Sequence, residues 1–343
     1  MNKNKAKTGV LLVNLGTPDS TATGDVRKYL REFLMDGRVI DIPLIPRWML
    51  VNLIIAPFRS PKSAKEYRKL WTERGSPLLF HTEDLRDKLK AKLDPSHYQV
   101  EMAMRYQSPS IATGLKALND ANVKKIIVLP LFPQYASATN GSVVDKVMEE
   151  ARKWQIIPSI TFINNFVDEP FFLEAWAELG REMMKKDEYD LYLFSYHGLP
   201  ERQIKKGSVD GYCQLSDKCC ANYTKKNQFC YRAQCFLTTR LIAERLGLPG
   251  EKVKTCFQSR LGNDPWIKPY TEEVIEEVTS KGIKKVLAFS PAFVADCLET
   301  TVEVGEEYKE KFEECGGEVW NLVPSLNSRD TWVDCVKALV EKH

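Results

Sequence analysis

The sequence predicts an α/β protein of two similar Rossmann-like lobes, each a parallel sheet covered by helices. Three observations predict it. Short runs rich in Val, Ile and Leu alternate with helical stretches, the pattern of strands buried on both faces. Motifs of the first half return in the second half in the same order. The chain has 343 residues, 43% hydrophobic and 28% charged, which suits two ordinary domains or one large one and excludes disordered, collagen-like and coiled-coil classes.

The strands are read from residues 9–16 (GVLLVNLG), 98–106 (YQVEMAMRY), 124–132 (KKIIVLPLF) and 159–166 (SITFINNF) in the first half. In the second half they are 189–198 (YDLYLFSYHG), 252–260 (KVKTCFQSR) and 284–293 (KKVLAFSPAF). Helical patterns lie between them, among others at 82–93, 142–153, 170–186, 236–246, 270–281 and 299–314, with a terminal helix over 329–342. VLLVNLGTP pairs with LYLFSYHGLP, MRYQSPS with CFQSRLGNDP, and KKIIVLPLFPQYAS with KKVLAFSPAFVAD. The repeat divides the chain into an N-terminal lobe, 1–178, a C-terminal lobe, 179–328, and a C-terminal helix, 329–343. Two such lobes facing each other put the strand C-terminal ends around a cleft, where ligands of parallel sheets bind.

Lys and Arg number 49 against 46 Asp and Glu, a net charge of +3. That balance gives no footprint for nucleic acid. The apolar run near the start stops at Asn14, too short for a secretory signal, and no stretch reaches the ~18 apolar residues of a membrane span. The expected location is the cytosol, where thiols stay reduced. Nine cysteines then need a reason other than disulfides, and five of them, Cys213, Cys219, Cys220, Cys230 and Cys235, crowd into one loop.

Chemistry-bearing residues gather at strand ends. His197, one of four histidines, closes an apolar strand, and Gly198 and Pro200 turn the chain behind it. It is either a hydrogen-bonded strand-end residue or a proton acceptor at the mouth of the sheet. Glu299, Glu303, Glu307 and Glu310 recur at helical spacing, so their like charges stack along one face. Such a run is either a solvated acidic face or a path of oxygen ligands for a divalent cation.

Eight motifs in order carry a resemblance to the ferrochelatases, which insert ferrous iron into a porphyrin. They are NLGTP (14–18), FLMDGRVID (33–41), GSPL (75–78), MRYQSPS (104–110), LPLFPQYASAT (129–139), SYHGLPER (195–202), FQSRLGNDPW (257–266) and FVADCLETTVE (293–303). The resemblance runs from about Gly9 to the end of the chain. It implies the two-lobed chelatase fold, with His197 and Glu299 as the catalytic pair facing each other across the porphyrin. Substrate iron is expected to meet Glu299, Glu303 and Glu307 of the acidic run and His197, which either binds the iron or accepts protons. The resemblance further implies that Tyr106, Trp266 and Phe293 press on or frame the ring, and that Arg59 and Ser76 take the propionates. Some members of the family have a histidine where this chain has Cys297. Within the same fold a cobalt or nickel chelatase is the runner-up, but the N-terminal LVNLGTP lacks the second metal-site histidine of that group. A non-catalytic haem or iron–sulfur protein is a third reading, opposed by the histidine and carboxylates, since binding alone needs no proton relay. The substrate is expected to be protoporphyrin IX, with protohaem as product.

The stretch 42–58, IPLIPRWMLVNLIIAPF, is the most apolar of the chain. It is either a buried helix or, by resemblance, an apolar lip over the porphyrin pocket that touches the inner face of a membrane without spanning it. The insertion 209–235 departs from the plainer bacterial pattern, which keeps only residues matching Tyr231 and Cys235. Four thiols in one loop, Cys213, Cys219, Cys220 and Cys230, suit a [2Fe–2S] cluster, with zinc as the alternative occupant. The adjacent pair is the weak point, since neighbouring side chains can point apart, and Cys235 is the reserve ligand.

Overall fold

The computed structural model describes residues 7–260, 262 and 264–343. Leu261 and Asn263 of the FQSRLGNDPW motif lie outside the described residues. Among the described residues, eight strands form two parallel sheets. The first contains β1 (Thr8–Gly16), β2 (Tyr98–Tyr106), β3 (Lys125–Pro130) and β4 (Ser159–Phe162), in the order β2-β1-β3-β4. The second contains β5 (Leu191–His197), β6 (Val253–Gln258), β7 (Lys285–Phe289) and β8 (Val319–Leu322), in the order β6-β5-β7-β8. The internal repeat is therefore a repeat of topology. The central strands are buried on both faces, Val10 to Val13 completely, which is why their sequences are continuously apolar rather than alternating.

The repeat extends to the strand ends. The residue after β2, Gln107, and the residue after β6, Ser259, both adopt positive φ, 66° and 65°. Each turn returns to its strand, through Met104 N–H to the Pro109 carbonyl (2.6 Å) and Phe257 N–H to the Pro269 carbonyl (2.9 Å). After the third strand of each sheet comes a π-helical segment, Ser137–Gly141 in one and Leu298–Glu307 in the other, running into helices Ser142–Ala151 and Tyr308–Glu314. Such segments are rare and concentrate at functional sites.

The chain forms two compact units. One comprises the chain up to Phe132, Ser137–Asn165 and Asn327–His343; the other comprises Pro133–Ala136 and Phe166–Leu326. The division differs from the expected boundary at 178 for a packing reason. Residue 178 lies inside helix Pro170–Met184, and that helix packs in the second unit: a Cβ on Gly180 would stand 2.9 Å from Leu246 and 3.2 Å from Phe289. Nor does the C-terminal helix Asp330–Glu341 stand apart. It buries Trp332, Val333, Val336 and Leu339 and is tied to the first unit by Lys88–Asp330 (3.1 Å) and Lys92–Asp334 (2.5 Å).

Residues 44–70 form a continuous helical run with a π segment, Leu50–Ile55, in its middle. It is not a buried helix. Leu44, Ile45, Trp48, Met49, Leu53, Ile54 and Phe58 are all at least half exposed, while Val51 and Ala56 face inward. No helix among the described residues is long and apolar enough to cross a membrane.

Candidate active site

His197 is the last residue of β5 and is partly exposed at its end. Two neighbours hold it there. The Tyr231 hydroxyl donates to its carbonyl (2.8 Å), and Gly198 N–H donates to the Gln258 carbonyl (2.8 Å). Position 198 admits only glycine without displacement, since a Cβ would lie 2.9 Å from the Gln258 carbonyl oxygen and 3.0 Å from the Trp266 ring. The imidazole Nδ1 sits 2.6 Å from the Gly198 carbonyl. A carbonyl only accepts, so in the neutral ring Nδ1 carries the proton and Nε2 keeps the lone pair. The rings of Trp266 and Phe293 flank the imidazole at centroid distances of 6.2 and 6.5 Å.

Gln258, the register partner of His197 on β6, is buried and organises what lies beside it. Its Oε1 accepts from the Ser195 hydroxyl (2.7 Å). Its Nε2 donates to the Glu299 carbonyl (2.9 Å) and to the Glu303 carboxylate (3.0 Å). Glu303 also accepts from the Ser259 hydroxyl (2.5 Å) and the Tyr308 hydroxyl (3.1 Å). Burial and the adjacent Glu303 carboxylate push the Tyr308 phenol far up, so it remains a donor. The acidic run thus differs from a uniform ladder. It lies on a π-helix, shown by Tyr308 N–H donating to the Glu303 carbonyl, and Glu303 is consumed by three internal donors. Glu299 is partly exposed and Glu307 and Glu310 are exposed. Glu299 lies beside the buried Cys297 thiol, which burial and then the Glu299 carboxylate push well up. Nothing in the sequence reading singled out Gln258; a polar residue closing a buried strand, in line with His197, is the signal that could have found it.

In the first unit, Tyr106 has no accessible surface. Its ring meets Phe33 edge-on at 5.1 Å and its hydroxyl donates to Asp36 (2.9 Å). A ring so enclosed cannot press on a porphyrin, and the expected contact is replaced by a structural one. Asp36 also takes Arg105 (2.7 Å) and Ser142 (2.5 Å). Burial opposes the charged form of Asp36, but Ser142, the Arg38 amide, Arg105 and Tyr106 together hold its carboxyl below the usual range. Arg59 is exposed on helix Ala56–Leu70. Ser76 is buried just before helix Pro77–Lys92, and its hydroxyl has no hydrogen-bond partner among the described residues.

In the insertion, Cys213, Cys219, Cys220 and Cys230 belong to one cluster with Tyr212, Tyr223, Ala233 and Phe236. The adjacent thiols of Cys219 and Cys220 are 3.9 Å apart. The Cys220–Cys230 hydrogen bond raises Cys220 and lowers Cys230. The buried Arg232 guanidinium opposes the rise at Cys220 and donates to the Ser216 carbonyl (3.2 Å), which also accepts from Cys219 (3.1 Å). Asn227 folds the loop, donating to the carbonyls of Cys219 (2.9 Å) and Asn222 (2.8 Å). A cavity of about 250 Å³ opens beside Cys213, Cys219 and Cys230. Cys235 lies outside this group, fully buried against Tyr231. Among the described residues, no three His, Cys, Asp or Glu side chains are grouped closely enough, as they stand, to hold a metal ion.

Two like parallel sheets with this strand order define a chelatase fold. SirB from Bacillus subtilis with Fe3+ matches with a TM-score of 0.55 and 12% identity, over 98% of this chain and 95% of that one. The sirohydrochlorin chelatase SirB from Bacillus subtilis subspecies spizizenii in complex with cobalt matches at 0.54 and 10%, over 98% and 94%. At such identities the likeness concerns the fold alone. The Ferrochelatase family model matches residues 7–343. A ferrochelatase of Legionella pneumophila (strain Lens) is 47% identical over 97% of this chain and 98% of its own length. One of Coxiella burnetii (strain Dugway 5J108-111) is 43% identical over 99% and 95%. The chain belongs to the ferrochelatase family, the enzymes that insert ferrous iron into a porphyrin in haem synthesis.

Proposed function

We propose that this ferrochelatase metallates protoporphyrin IX, with His197 as the proton acceptor and Glu299 as the carboxylate that meets substrate iron. Two protons must leave the pyrrole nitrogens as Fe(II) enters, so charge is conserved at the ring. The observation that carries the reading is the 2.6 Å contact of His197 Nδ1 with the Gly198 carbonyl, because it leaves Nε2 as a base of fixed direction. Glu299 offers a hard oxygen to Fe(II), and Glu307, exposed further along the same π-helix, is the outer supply carboxylate. Trp266 and Phe293, which flank His197, frame the macrocycle and favour a bent ring whose nitrogen lone pairs are reachable. The exposed Arg59 guanidinium suits a propionate, whereas Ser76, buried just before its helix, reaches one only if the chain around it opens. Anaerobic addition of Fe(II) to purified protein and protoporphyrin, followed by absorption, tests this: the haem spectrum must appear with turnover.

The exposed apolar run from Leu44 to Phe58 is read as the lip that borders bound porphyrin and rests on a membrane surface. Replacing Trp48 and Phe58 with Ser should weaken vesicle binding and raise KM for porphyrin while leaving the Fe(II) dependence alone.

Cys213, Cys219, Cys220 and Cys230 are the residues that would hold a [2Fe–2S] cluster, with zinc as the alternative occupant. Supporting it are the grouping of the four thiols, three of which, Cys213, Cys219 and Cys230, line a cavity, and the buried Arg232 guanidinium beside them; the thiols must draw closer to bind. When bound, such a cluster supplies a one-electron centre and a cross-link for the loop.

A further inference from the structure

Glu303 is the second carboxylate of the acidic run, and its surroundings are those of an anchor. Three groups donate to it: the Gln258 amide, the Ser259 hydroxyl and the Tyr308 hydroxyl. The amide cannot flip to offer its oxygen instead. Its Nε2 faces two groups that only accept, the Glu299 carbonyl at 2.9 Å and the Glu303 carboxylate at 3.0 Å, while Oε1 takes the Ser195 hydroxyl at 2.7 Å. One buried side chain therefore ties the strand of His197, through Ser195, to the backbone of Glu299 and to the carboxylate of Glu303.

We propose that Gln258 is a positioning residue for iron insertion: it clamps Glu303 as a hydrogen-bonded anchor of the π-helix and so sets where Glu299 stands relative to His197. The inference rests on the reading of His197 and Glu299 as the reacting pair. Glu303 then does not carry iron, and the route of the metal does not pass through it. The repeated turn after β6, where Ser259 has a positive φ of 65°, brings the Ser259 hydroxyl to the same carboxylate. In a buried network each donor matters through the others, so single losses are not independent.

The test is a double-mutant cycle between Gln258→Leu and Glu303→Gln, read as kcat and as KM for porphyrin and Fe(II). Each single variant should lower kcat at least tenfold with both KM values within twofold. The pair should lose no more than about twofold beyond the worse single variant. Thermal melting establishes that each protein is folded. If Gln258→Leu does not fold, Ser259→Ala and Tyr308→Phe, each removing one donor to Glu303, should lower kcat about threefold and be silent in the Glu303→Gln background. Multiplicative losses in the cycle, or a rise in KM for Fe(II) at Glu303→Gln with kcat intact, would overturn the proposal. Glu299→Gln separates the two levels. Full activity in that variant defeats the reading of the reacting pair. A dead Glu299→Gln beside a normal, folded Gln258→Leu defeats only the clamp.

Discussion

His197 and Gln258 face each other as register partners at the ends of β5 and β6, and the amide that follows His197 closes on the Gln258 carbonyl at 2.8 Å. The proposed proton acceptor and the proposed positioning residue are thus neighbours across a parallel ladder, where backbone hydrogen bonds fix their separation.

Two carboxylates of the π-helix, Glu299 and Glu307, should separate by kinetic parameter. Glu299→Gln should lose at least about a hundredfold in kcat, the scale of removing a positioned acid–base group. Glu307→Gln should raise KM for Fe(II) and spare kcat, because that residue is exposed. Steady-state kinetics with Fe(II) and porphyrin varied separately checks this; equal effects at both positions would contradict it.

Gly198→Ala should destabilise the second unit. The new methyl group would lie 2.9 Å from a backbone oxygen and 3.0 Å from the Trp266 ring, and overpacking of this kind costs about 1–3 kcal/mol. Denaturant unfolding measures the loss, and an unchanged midpoint would show that Trp266 can move aside freely.

Asp36→Asn should destabilise the first unit by about 3–5 kcal/mol, the cost of removing one partner of a buried ion pair. The pH dependence has a definite sign. The folded carboxyl is held below its ordinary value, so its stabilisation is complete above about pH 4 and fades as pH falls through the folded value. Wild type should lose stability on acidification more steeply than Asp36→Asn, as followed by urea unfolding between pH 3 and 7; parallel slopes would remove Asp36 from the account.

The purified protein should be reddish, with about two iron atoms per chain in a [2Fe–2S] cluster. Ser at Cys213, Cys219, Cys220 or Cys230 should bleach the colour, whereas Cys235→Ser should not, since Cys235 is packed against Tyr231 away from the group. A colourless protein with one zinc per chain would replace the cluster, and bleaching by Cys235→Ser would correct the ligand set.

How much was legible depends on the range of the interaction. The parallel sheets could be read because buried central strands such as Val10–Val13 are apolar without interruption. His197, Trp266 and Phe293 could be picked out as candidates because each stands at the end of a strand or beside a turn. β8 could not: it is four residues containing Asn321, and only its pairing with β7 makes it a strand. Tyr106 looked like a ring contact because the partner of its hydroxyl, Asp36, lies some 70 positions away. The acidic run has α-helical spacing, and nothing local in it announces the wider π turn or the donors that arrive on Glu303 from β6 and beyond.

The central claim is that His197 accepts protons from the porphyrin nitrogens through a ring oriented by the Gly198 carbonyl. The most direct measurement is anaerobic haem formation by His197→Ala beside equilibrium binding of protoporphyrin to the same protein. Turnover should fall by at least about a hundredfold with the porphyrin Kd within twofold of wild type. Turnover near the wild-type rate in a variant that binds porphyrin normally would contradict it.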